Sequence, residues 1–156
     1  MNIKVRLANN NDREEVLALF KYQYCGDDLY YDVAVRFFKG DKNLEVFYAY
    51  NEDDGEFMGT AIYEYSQYKG TNKIECHGMI HVTKQKYRRL GVFNSIRNYF
   101  YSYIREKRNV YYYYIKYMKD APHINLDREI AAGFIVSDAG NNENLLELFF
   151  GGGIKC

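Results

Sequence analysis

Residues Tyr87 to Phe93, Tyr-Arg-Arg-Leu-Gly-Val-Phe, place two guanidinium groups and a glycine where a strand-like pattern gives way to a helical one. The first turn of a helix has unpaired backbone N–H groups and the positive end of the helix dipole. Glycine lets a ligand approach the backbone closely. The combination suits a phosphate or pyrophosphate. The competing reading is a polar loop that caps an ordinary helix, with arginines facing water. Just upstream, Glu75, His77 and His81 occupy alternate positions of the strand-like run Lys73 to Val82, so they share a face if no bulge intervenes.

These groups need elements to position them. Ile3, Val5 and Leu7 alternate with Lys4 and Arg6, as in a half-buried first strand. Asp12 and Glu15 resemble a capping box, and Val16, Leu17, Leu19 and Phe20 give the apolar stripe of a helix from about Asn11 to Lys21. Tyr22 to Asp28 reads as a loop, and a second helix spans Tyr31 to Phe38, ended by Gly40. Glu45 to Tyr50 and Phe57 to Tyr65 read as strands of a hairpin turned by Asn-Glu-Asp-Asp-Gly. Lys73 to Val82 is the fourth strand, antiparallel to the third.

The helix after the arginines runs from Val92 to Arg108. Val92, Phe93, Ile96, Phe100, Tyr103 and Ile104 share its apolar face, and Asn94, Arg97, Asn98, Arg105 and Lys107 its polar face. Val110 to Met118, with four consecutive tyrosines, reads as a central strand. Strand, helix and strand in this order imply a parallel pair joined by a right-handed crossover. Leu126 to Ala132 is a short helix closed by Gly133, and Phe134 to Ser137 and Leu145 to Phe150 are closing strands.

At 156 residues the chain suits one domain, residues 1–156. Its 21 basic and 21 acidic residues cancel, which counts against extended nucleic-acid binding. Cys25, Cys76 and Cys156 have no metal-like spacing and fit a reducing cytoplasm. The start, Met-Asn-Ile-Lys-Val-Arg, lacks the apolar core of a secretory signal, and no apolar run is long enough to span a bilayer.

With this order of elements and Arg88-x-x-Gly91-x-Phe93 opening the main helix, the chain resembles the GNAT superfamily of acyl-CoA-dependent N-acetyltransferases. Tyr87-Arg88 matches the pair that commonly opens that family's acyl-CoA loop, and Ala131-Ala-Gly133-Phe134 is similar to its Gly-Phe after the last helix. The resemblance implies an α/β (α+β) fold. Its mixed, mostly antiparallel sheet would have about seven strands and four helices, with the fourth and fifth strands parallel and splayed. It also implies acetyl-CoA as co-substrate, an amine acceptor, no metal and no membrane, and a homodimer is compatible with it. Three departures stand out. Phe93 replaces a small residue, and its amide stays free if the ring points into the core. The segment Val82 to Arg88 is one residue longer than the common pattern. Glu129 stands where a tyrosine, the frequent general acid, precedes the Gly-Phe pair by four residues.

The resemblance further implies that amides from Arg88 to Phe93 (Arg88, Arg89, Leu90, Gly91, Val92, Phe93) hold the pyrophosphate. Backbone around Ile80, His81 and Val82 would pair with the pantetheine arm like an added strand, and Asn125 would make a further contact. That pairing requires the fourth and fifth strands to part, typically beside a bulge. An attacking amine with a pKa near 10.4 must lose a proton, so a base is useful. His77 is the first choice, since histidine titrates near neutral pH, followed by Glu75 and then His81. A tyrosine between Tyr111 and Tyr117 could protonate the leaving group. Acceptor specificity would come from the loop between the first two helices, where Tyr24, Asp27, Asp28, Tyr30 and Tyr31 lie. A solvated loop is the competing reading there. Two other functions remain open: a GNAT-like sensor that binds acyl-CoA without catalysis, and a nucleic-acid binder using Lys84, Lys86, Arg88, Arg89, Arg97, Arg105 and Lys107.

Overall fold

The computed structural model describes residues 1–23, 29–119 and 126–150. Its sheet is built from β1 (Ile3–Leu7), β2 (Leu44–Asn51), β3 (Phe57–Gln67), β4 (Ile74–Thr83), β5 (Val110–Met118), β6 (Ile135–Gly140) and β7 (Glu143–Phe149). The helices are α1 (Arg13–Gln23), α2 (Leu29–Phe38), α3 (Val92–Tyr103) and α4 (Leu126–Ala131). The seven strands are ordered β1-β2-β3-β4-β5-β7-β6. Among the described strands only β4 and β5 are parallel neighbours. No helix among the described residues is long and apolar enough to cross a membrane.

Alternation along the central strands gives the sheet two buried faces. Phe47, Ala49, Tyr63, Tyr65, Cys76 and Tyr113 face α3, where Ile96 and Phe100 complete the core. Val46, Tyr48, Phe57 and Ile62 face α1 and α2 and meet Val16, Phe20, Val33 and Ala34. Tyr63 lies flat on Phe100, ring centroids 3.8 Å apart. Burying a ring of this size contributes roughly 2–3 kcal/mol.

Several boundaries differ from the sequence reading. The capping box uses Asn9 and Asp12, and a short 3₁₀ turn, Asn10–Asp12, precedes α1. Asp12 is committed to Arg6, which reaches both its oxygens at 2.6 and 2.9 Å, and to the Asn9 N–H at 2.8 Å. Burial would raise the Asp12 pKa, but these bonds hold it below the usual carboxylate range. α2 begins at Leu29, and α3 stops at Tyr103, beyond which Ile104–Arg108 form a wider π turn. Phe93 leaves the expected core stripe and is 37% exposed. It sits one residue, or about 100°, away from the row Val92, Ile96, Phe100 that packs on the sheet. Arg97, expected on the solvent face, is half-buried and paired with Glu129 of α4.

Two features of β4 shape the site. Ile62 pairs with Ile80 while Tyr63 pairs with Gly78, so Met79 is an extra residue, a β-bulge. The parallel pairing with β5 runs from Ile74–Val110 to His77–Tyr114 and stops there. From Gly78 onward the two strands part, and β5 keeps only β7 as its neighbour.

Candidate functional site

The loop into α3 is built by backbone conformation. Gln85–Tyr87 form a 3₁₀ turn, and Arg88 follows in an extended conformation. Arg89 then adopts φ 66° and Gly91 φ 94°, both left-handed. Gly91 is the N-cap of α3, and no side chain among the described residues caps that helix. The Ser95 N–H reaches the Gly91 carbonyl at 3.0 Å. The amides of Val92, Phe93 and Asn94 are therefore left without an intrahelical acceptor. Val92 is buried and anchors the helix start on β3, where the tight spot at Gly59 leaves only 3.0 Å between a Cβ and Val92 Cγ1. Arg88, Arg89, Leu90 and Gly91 are exposed. Open amides, a dipole and two exposed guanidinium groups form a cradle for an anion.

The bulge decides where the three proposed bases point. Glu75 and His77, before it, pair with Ser66 and Glu64 and face the α1–α2 side. His81, after it, pairs with Ala61 and faces α3. The shared face expected for all three does not form, because the extra residue inverts the alternation. His77 stacks on Tyr114, centroids 4.5 Å apart and rings 5° from parallel. Burial, then Lys116, pushes its pKa down to about 4. Glu75 accepts a hydrogen bond from the Ser66 hydroxyl at 3.1 Å.

His81 is held between Tyr63, whose hydroxyl lies 2.9 Å from Nε2, and the Phe93 ring at 4.7 Å. Its Nδ1 is buried without a hydrogen-bond partner among the described residues. Burial, then Arg97, pushes its pKa down to about 3. Ile80 and Val82 flank it and turn to the opposite core.

Two further residues take places that the sequence did not specify. Tyr113 carries its hydroxyl over Gly78: a Cβ there would meet that oxygen at 2.5 Å and Ile115 Cγ2 at 2.7 Å. Burial, then Tyr101 and Cys76, raises the Tyr113 hydroxyl well above the usual range. Odd-numbered tyrosines of β5 had to share a face, but nothing in the sequence said which one ends at the split. The other is Arg97, whose two terminal nitrogens bind both carboxylate oxygens of Glu129. Its Nε donates to the Tyr101 hydroxyl at 3.0 Å. The pair is buried, at 14% and 8% side-chain exposure. Glu129, where the resembled family often has a proton-donating tyrosine, is thus an ion-paired carboxylate.

Tyr24, Asp27, Asp28 and Asn125 lie outside the described residues. Tyr30 and Tyr31 are half-buried against the α1–α2 core, which differs from a solvated binding loop. Of the basic residues considered for nucleic acid, Lys86 is paired with Glu56 and Arg97 with Glu129. Among the described residues no three His, Cys, Asp or Glu side chains gather to hold a metal ion.

No family model matches the chain, and no curated protein matches it in sequence. Solved structures match it closely in shape. The mixed sheet with one parallel, parting strand pair is the fold of the GNAT N-acetyltransferases. Arabidopsis thaliana NAA60 in complex with acetyl-CoA shares 13% identity over 97% of this chain and 100% of its own, with a TM-score of 0.69. The spermidine N-acetyltransferase SpeG of Vibrio cholerae, crystallised as a mutant, shares 11% identity over 94% of this chain and 93% of its own, at a TM-score of 0.71. The Campylobacter jejuni N-acetyltransferase PseH in complex with acetyl coenzyme A shares 17% identity over 94% and 99%, at 0.63.

Proposed function

We propose that this protein is an N-acetyltransferase that moves an acetyl group from acetyl-CoA to a primary amine by direct attack in a ternary complex. The observation that carries this reading is the juxtaposition of two features: an uncapped start of α3, and the adjacent split between β4 and β5. The first suits the pyrophosphate, through the amides and side chains of Arg88 to Phe93. The second leaves backbone groups of Ile80, His81 and Val82 without a β5 partner, as strand-like pairing with an amide-rich arm requires. Asn125 would extend that contact.

The amine would arrive from the face that carries Glu75 and His77. His77 is neutral at physiological pH and can accept a proton, but with a pKa near 4 it holds one weakly. It would pass the amine's proton on through water, with Glu75 next in line. His81 is the least suited, being on the other face and engaged by Tyr63. Tyr24, Asp27 and Tyr30 would contact the acceptor. The carbon–nitrogen bond forms as the carbon–sulfur bond breaks, the electron pair leaves on sulfur, and CoA departs as the thiol after taking up a proton. We place the reaction in the cytoplasm, in keeping with the free thiol of Cys76.

Isothermal titration with acetyl-CoA tests the reading. Binding is expected for the wild type, and Gly91→Glu should abolish it. The left-handed φ of 94° strains any side chain there, and a carboxylate would stand where phosphates rest. Unchanged affinity in a folded Gly91→Glu protein would refute the placement. Binding without acetylation across broad amine, peptide and protein panels would favour a catalytically silent sensor.

A further inference from the structure

Buried polar groups are almost always hydrogen-bonded, because an unmet donor in a low-dielectric interior costs about 1–3 kcal/mol. One side-chain atom at the split departs from that rule, His81 Nδ1, and a second donor, the Tyr113 hydroxyl, lies on the same α3 side. Tyr113 is 4% exposed as a residue, and its hydroxyl lies over Gly78, where the split begins. His81 Nδ1 is buried and has no hydrogen-bond partner among the described residues. They belong to one neighbourhood: the Tyr63 ring lies 6.3 Å from that of Tyr113 and 5.6 Å from that of His81, and Arg97 acts electrostatically on both.

The tautomer of His81 follows from counting donors. If Nε2–H donated to Tyr63, the fully buried Tyr63 hydroxyl would itself lack an acceptor. If Tyr63 donates to Nε2, the only unmet group is Nδ1–H. The second arrangement costs less, so His81 presents a donor. Tyr113, whose hydroxyl stays protonated, presents another. They lie three residues apart along β4, Tyr113 through its contact with Gly78. This is the stretch from which β5 has withdrawn.

We propose that His81 Nδ1–H and the Tyr113 hydroxyl donate hydrogen bonds to carbonyl oxygens of the acylated pantetheine arm, so that side chains as well as backbone recognise it. This rests on the acetyl-CoA reading above. It makes His81 a binding residue and removes it from the proton-transfer roles. Tyr113 sits at the closed end of the split and would meet the thioester end of the arm, while His81, nearer the anion cradle, would meet an amide.

The test compares acetyl-CoA with 3′-phospho-ADP, the nucleotide fragment of CoA that lacks the arm, by isothermal titration. Tyr113→Phe should weaken acetyl-CoA about tenfold, the loss of one hydrogen bond, and leave the fragment unchanged. The double variant Tyr63→Phe/His81→Leu, which removes the internal bond together with the donor, should do the same. The melting temperature of ligand-free Tyr113→Phe should stay level, since the hydroxyl serves the ligand and not the fold. A group that served the fold would lower it. Wild-type binding of both ligands with acetyl-CoA affinity unmoved by Tyr113→Phe would overturn the proposal and leave the functional reading intact. A drop in the melting temperature of Tyr113→Phe would overturn it as well. A wild type that bound neither ligand would remove the functional reading and the proposal together.

Discussion

At the scale of residues, the two β4 histidines tie stability to pH. Each titrates near 6.5 when unfolded, whereas in the fold His77 is lowered to about 4 and His81 to about 3, mainly by burial. Between those limits the unfolded chain binds more protons than the folded one, so stability falls as the pH drops from about 6.5 toward 4. At about pH 5 each histidine should cost about 2 kcal/mol relative to pH 8. Urea unfolding at the two pH values measures this. Replacing His77 by Gln should remove about half of the difference, and a pH dependence identical to wild type would contradict its buried, neutral state.

At the scale of elements, the split between β4 and β5 depends on Gly78. The Tyr113 hydroxyl and Ile115 occupy the space a side chain would need there, at 2.5 and 2.7 Å. Gly78→Ala must push β5 side chains aside in a close-packed interior, which typically costs about 1–3 kcal/mol. Because the displaced residue is Tyr113, acetyl-CoA affinity should fall along with the melting temperature. A variant as stable as wild type would show that the packing at the split is looser than described. The neighbouring bulge at Met79 acts differently: it turns His81 to the α3 face while Glu75 and His77 stay on the other, which in the proposed reaction would separate arm recognition from proton transfer.

At the scale of the whole molecule, the Arg97–Glu129 pair ties α3 to α4. Removing one partner of a buried pair leaves an uncompensated charge, so Glu129→Ala should destabilise by about 3–5 kcal/mol. The double variant Arg97→Leu/Glu129→Leu should recover most of that loss in urea unfolding. If Glu129→Ala costs under about 1 kcal/mol, the pair is solvated and α4 packs less tightly than described.

Seven strands, four helices and their order were legible in the sequence because each is written in short-range terms. Alternation gave β1, β-rich runs bounded by turn residues gave β2 to β4, the 3.6-residue period gave α3, and glycines and asparagines marked the turns. The open start of α3 was legible for the same reason, since Gly91 and the arginines act within one turn of chain. What only the tertiary structure decided depends on residues distant in sequence. The bulge at Met79 exists only in the pairing of β4 with β3, so the sequence could not say that His81 turns away from His77. Arg97 sits on the polar side of its own helix, and its burial is imposed by Glu129, 32 residues away. Tyr113 is one tyrosine among four in a row until the withdrawal of β5 from β4 sets its hydroxyl over Gly78. Local periodicity fixes which elements form, and the energy of packing them together fixes which side chains meet.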